Sequence, residues 1–127
     1  MAGTVTFEHI SQGGYGRIIA TCTADASDGT FPATVIPAFA GRLLALRTNP
    51  GATAPTANYD ITLPDGDTVD RLQGVGANRH TSNSEEVSVV YSGTAIHPAC
   101  CYETLTLTLA GNSVNSAISV VTLVYGP

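Results

Sequence analysis

Asp60, Asp65, Asp67 and Asp70 crowd one short stretch around an Asp65-Gly66 turn, and carboxylate oxygens so close together are the raw material of a calcium site. An EF-hand loop, however, places its glycine at the sixth position and a glutamate at the twelfth. Here Gly66 falls between the first two aspartates and no such glutamate follows, so the four read as turn-forming and solvating groups. His97, Cys100 and Cys101, with Cys22 or His80, contain the atoms of a zinc tetrahedron. Adjacent cysteines on an extended chain point to opposite faces, and no CxxC or HxxxH pair supports them, so small buried thiols are expected instead.

Nucleophilic catalysis would need a cysteine or serine held against His9, His80 or His97. The chain has no GxSxG elbow, and no cysteine stands at the start of an expected helix. Glu85 and Glu86 are consecutive and diverge on a strand, the wrong geometry for two carboxylates acting on one bond. Gly74-Val75-Gly76-Ala77-Asn78-Arg79 is glycine-rich like a phosphate loop. It leads into Thr81, Ser82, Asn83 and Ser84 rather than a helix, and has no lysine, so it reads as a flexible loop whose Arg79 and His80 meet a partner. Thr104, Thr106 and Thr108 line one side of a strand without the long repeat of an ice-binding array. No catalytic, cofactor-binding or metal-ligating set is expected.

The elements that carry these residues are strands. Val5 and Phe7 share a face of a short strand Thr4–His9, and the Gly13-Gly14 pair ends the link that follows. Tyr15–Ala24 sets Ile18, Ala20 and Cys22 against Arg17, Ile19 and Thr21. Asp28-Gly29 turns the chain into Phe31–Ile36, which Pro32 confines to an edge. Gly41–Thr48 places Leu44 and Leu46 opposite Leu43 and Ala45, so both its faces look buried. Asn49-Pro50-Gly51 and Pro55 stop it. Tyr59, Ile61 and Leu63 alternate with polar neighbours in Asn58–Leu63, and Asp65-Gly66 is expected to reverse the chain tightly into a strand Thr68–Leu72. Glu85–Tyr91 and Ala95–Ala99 are weaker strands. Glu103–Leu109 sets Leu105, Leu107 and Leu109 against its threonines, and Gly111-Asn112-Ser113 turns it into Ala117–Tyr125 as a closing hairpin. About eight strands at such intervals predict an all-β chain forming a single antiparallel β-sandwich, jelly-roll-like or immunoglobulin-like.

The 127 residues suit one domain. There is no lysine; Arg17, Arg42, Arg47, Arg71 and Arg79 face ten carboxylates, for a net charge of −5. Nucleic acids and anionic membranes draw their affinity from clustered cations, so neither is an expected partner. Charged residues make up only 12%, and Thr, Ser and Asn carry the polarity, which suits a surface packed against other protein. Arginine without lysine points the same way, because the guanidinium fork is favoured in interfaces. No apolar run approaches the ~20 residues of a membrane span. MAGTVTFEH lacks the basic and apolar regions of a signal peptide, and three cysteines are an odd number, so synthesis in a reducing cytoplasm is expected.

GRLLALRTNPGATAPTANYDITLPDGDTVDRLQGVGANR, from Gly41 to Arg79, together with the closing LTLTLAGNSVNSAISVVTLVYG, resembles small β-sandwich virion accessory proteins of tailed bacteriophages, especially head decoration (cement) proteins. Cys100-Cys101 and the absence of lysine depart from many of them. The resemblance implies a structural protein, not an enzyme, made in the bacterial host and resident on the capsid surface. It implies no cofactor, and as partners the major capsid protein or another virion protein and further copies of itself, as a homo-dimer or homo-trimer. The alternatives are a tail, neck or fibre-base protein, or a receptor- or carbohydrate-binding sandwich. Met1–Phe7 is expected as an N-terminal arm adding to a neighbour's sheet through Val5 and Phe7, with Arg71, Arg79 and His80 among the other contacts.

Overall fold

Two adjacent glycines set the first register. Gly13 and Gly14 both take positive φ, 61° and 85°, the backbone of a two-residue hairpin turn. They join β1 (Thr4–Gln12) to β2 (Tyr15–Thr23) in nine consecutive antiparallel pairs, from Gln12 opposite Tyr15 to Thr4 opposite Thr23. The computed structural model describes residues 2–89, 99–101 and 103–127. Among them are seven further strands: β3 (Thr34–Val35), β4 (Gly41–Pro50), β5 (Asp60–Thr62), β6 (Glu85–Ser88), β7 (Ala99–Cys101), β8 (Thr106–Ala110) and β9 (Ile118–Gly126).

They form two antiparallel sheets. The larger runs β1-β2-β9-β4-β6, and β7 also pairs with β4; the smaller runs β3-β8-β5. β9 covers one side of β4 along nearly its whole length, so β6 and β7 share the other. There β6 opposes Ala45–Thr48 and β7 opposes Gly41–Leu43, with Val89 N–H bonded to Leu44 C=O between them. They are two halves of one edge strand, which reduces nine strands to eight positions.

Among the described strands six connections cross between the sheets, and only β1–β2 is a hairpin. With β2 counted first, the large sheet reads first, eighth, third, sixth and the small one second, seventh, fourth. The fifth place, beside β5, is filled by an irregular segment that bonds Ile61 N–H to Gly76 C=O and Arg79 N–H to Tyr59 C=O. This is the strand order of a jelly roll. The expected antiparallel sandwich is therefore found, and of its two forms the jelly roll fits.

The core lies between the sheets. Ile18, Ala20, Cys22, Leu43, Leu46, Val121 and Leu123 point in from the large sheet, and Ile61, Leu105, Leu107 and Leu109 from the small one, with Tyr59, Leu63 and Leu72 from its loops. Four expectations change. β8 and β9 belong to different sheets, so the closing pair is a crossover rather than a hairpin. The chain reverses at Asp65-Gly66 as expected, but Thr68–Leu72 is not a strand: Thr68 adopts a φ of 63° that a strand excludes, and only an isolated antiparallel bridge joins Asp70 to Pro64. In β4 a bulge between Leu43 and Ala45 shifts the alternation, so Leu43 and Leu46 point inward together and Leu44 and Ala45 do not. Residues 4–7 are the first residues of β1, not an arm, and Val5 and Phe7 lean on the chain's own core. Most of the expected strand Ala95–Ala99, and the end of Glu85–Tyr91, lie outside the described residues.

Candidate functional site

The aspartates spend their lone pairs on their own loop. Asp65 Oδ1 accepts the N–H groups of Asp67 (2.8 Å) and Val69 (3.0 Å), and Oδ2 receives Arg71 Nε (2.9 Å) and Nη2 (2.7 Å). Burial alone would raise its pKa, but the Val69 and Asp67 N–H groups and the Arg71 guanidinium outweigh that and hold the carboxyl below its ordinary value. Asp70 accepts from Leu63, Leu72 and Gly74, and Asp60 from Asn78. Asp60, Asp65 and Asp70 thus each hold backbone N–H groups of the loop that follows β5. Among the described residues no three His, Cys, Asp or Glu side chains converge as metal ligands.

Cys22 is a core thiol, fully buried on β2, and desolvation pushes its pKa up to about 12. A thiol held neutral is neither a nucleophile nor a ligand at physiological pH. Cys100 and Cys101 are consecutive in β7, and His97 lies outside the described residues. His80 Nδ1 accepts from the N–H groups of Ser82 (3.0 Å) and Asn83 (2.9 Å), the role of a turn cap. His9 stands apart on β1, its Nε2 2.6 Å from Tyr125 Oη. Ser11 Oγ reaches the same hydroxyl at 3.3 Å, and Phe39 stacks on the Tyr125 ring at 4.3 Å. Tyr125 can lie there because Gly16 has no side chain; a Cβ would overlap its ring.

Of the expected interface residues, Arg79 and His80 are brought together, since Glu85 Oε1 accepts the His80 N–H at 2.8 Å and lies 3.6 Å from Arg79 Nη1. Arg79 also donates to Ala77 C=O, and its side chain is only 13% exposed. Arg71 is held by Asp65, and its side chain is 26% exposed. These cations serve as internal fasteners of the loop between β5 and β6. Val5 and Phe7 lie elsewhere, on β1.

A different constellation carries the free cationic surface. The strand registers align Ile10, Arg17, Val124 and Ala45 in one row across the outer face of the large sheet, and Glu8, Ile19, Thr122, Arg47 and Glu86 in the next. Arg17, Arg42 and Arg47 thus share that face with two carboxylates, Glu8 and Glu86, and Glu86 is tied to Arg47 at 3.0 Å. The other eight carboxylates lie off it, so an acidic protein turns its cations one way. Between the arginines the face is apolar. Tyr15, 58% exposed, lies beside Gly126 and with Ile10, Arg17 and Val124 walls a shallow recess of about 310 Å³. A second recess, of about 430 Å³, opens between Arg47, Glu86, Val120 and Thr122. Sequence reasoning missed this face because its arginines come from strands that are neighbours only through the crossover order. The alternation of Arg17 against the buried Ile18 was the one visible sign.

Compared with known proteins, the chain matches no family model, no curated protein and no solved structure.

Proposed function

We propose that this chain is a structural protein of a tailed-bacteriophage virion, a decoration protein that binds the outside of the head and stabilises it through the outer face of its large sheet. The observation that carries the reading is that face, a ladder-braced surface where Arg17, Arg42 and Arg47 border Ile10, Ile19 and Val124 on a molecule otherwise rich in carboxylates. Such a surface suits an acidic, partly apolar protein platform. The resemblance from Gly41 to Arg79 supplies the platform's identity.

The chemistry is adhesion. Charged rims steer the encounter, and apolar rows between them exclude water once docked. A shell offers many identical sites, so modest affinity at each suffices when neighbouring copies also touch. Load applied along the shell is spread over the hydrogen-bonded ladders of two sheets. Cryo-electron microscopy of particles, with copies counted per virion, tests the assignment. Hundreds of copies on the head are expected; six or twelve on the particle axis would instead make it a tail, neck or fibre-base protein. Absence from particles would end both readings.

A further inference from the structure

β1 is an edge strand, paired with β2 on one side only. The residues closing a two-residue hairpin exchange both backbone bonds, and bonding alternates from there. Gln12, Ile10, Glu8, Thr6 and Thr4 therefore turn their N–H and C=O groups to β2. Ser11, His9, Phe7 and Val5 turn theirs outward. Among the described residues this outer edge runs nine residues without a bulge, a proline or a lysine and with one carboxylate, Glu8, so it is only lightly blunted as a sheet edge. The other edges differ. β6 is four residues long and carries Glu85 and Glu86, β7 is three residues long, and β3 is two.

We propose that two copies of this chain pair through β1, antiparallel about a twofold axis, joining their six-stranded sheets into one of twelve. Self-pairing consumes the exposed edge on both copies and closes the assembly, whereas pairing β1 with the β6–β7 edge would repeat without end. Sheet continuity keeps like faces together, so the axis passes through a residue. An axis at Glu8 opposes two carboxylates, which is unfavourable. An axis at Phe7 sets the two Phe7 rings across from each other and pairs Val5 with His9, Thr6 with Glu8 and Thr4 with Ile10, with no like charges opposed. Val5 and Phe7 are half-buried at the rim of the core, and the second copy covers the rest of them. The dimer does not depend on the chain residing on a virion.

Sedimentation equilibrium and amide hydrogen exchange of the full chain test it together. A mass of two chains is expected, with the Phe7 and His9 amides protected as strongly as Thr6 and Glu8. Val5→Pro removes an outward N–H and spares the bonds to β2; it should raise the dimer dissociation constant at least about tenfold. A monomeric wild-type chain, or a dimer whose Phe7 and His9 amides exchange freely, would overturn the pairing. The wild-type exchange pattern decides even where the proline variant does not fold.

Discussion

Asp65 shows how one side chain can replace a strand. Its two oxygens gather the Asp67 and Val69 N–H groups and the Arg71 fork, and the chain that alternation alone would extend is wound into turns around it. Because the folded pKa is lowered, its stabilising contribution is complete above the unfolded value near 3.9 and is lost as the pH falls through the folded value. Asp25 adds in the same direction, lowered chiefly by the Ser27 N–H. Asp65→Asn keeps the shape but replaces the charge and one acceptor oxygen, removing the Asp65–Arg71 ion pair. Thermal melts between pH 7 and pH 3 should place the variant several degrees below wild type at pH 7, with the gap closing towards pH 3. Two curves running parallel across that range would show that the carboxylate charge is not what holds the loop. At the alkaline end the sign reverses. Burial raises the Cys22 pKa from 9.0 to about 12, so the stability it confers is present below pH 9 and lost as the pH rises towards 12.

Crossover connections need fasteners where hairpins do not. Between β8 and β9 the fastener is Asn112. Its Oδ1 accepts from Thr56 N–H at 2.8 Å and Val114 N–H at 3.2 Å, while Nδ2 donates to the carbonyls of Gly29 at 2.6 Å and Val114 at 3.1 Å. One amide thus ties the link to the loops before β3 and before β5. Asn112→Ala should cost about 1–3 kcal/mol in urea unfolding, with the fold unchanged by circular dichroism. A loss below about 0.5 kcal/mol would mean water replaces the amide without penalty. The inward faces were legible in the sequence wherever period two is unbroken: Ile18, Ala20 and Cys22; Tyr59, Ile61 and Leu63; Leu105, Leu107 and Leu109. The bulge after Leu43 was not, since Leu43, Leu44, Ala45 and Leu46 are all apolar and show no change of phase. Sheet membership was hidden for a similar reason. Gly111-Asn112-Ser113 signals a reversal equally well within one sheet or between two, and only the long-range contacts of Asn112 decide. Arg71 and Arg79 looked free in the sequence because their partners, Asp65 and Glu85, are six residues away along loops of no regular period.

At the scale of the whole molecule the two sheets differ in charge, and that difference is a property of neither strand nor residue alone. The outer face of the large sheet takes Arg17 from β2 and Arg42 and Arg47 from β4. Most carboxylates sit in the loops and on the small sheet. Attraction between such a face and an acidic surface acts over about 8–10 Å at moderate ionic strength and fades as salt is added. Arg17 and Arg42 are exposed, so reversing them should change folding stability by no more than about 0.5 kcal/mol. Their effect should fall on docking. In a co-sedimentation assay with heads stripped of this protein, Arg17→Glu combined with Arg42→Glu should weaken binding at least about tenfold at low salt. The deficit should shrink as ionic strength rises, because screening removes the attraction in the wild type and the repulsion in the variant together. The β1 edge lies at the margin of the same sheet, so sedimentation of the variant alone separates lost docking from lost self-pairing. A charge-reversed protein that bound stripped heads as tightly as wild type, and with the same salt dependence, would move the docking face away from this sheet.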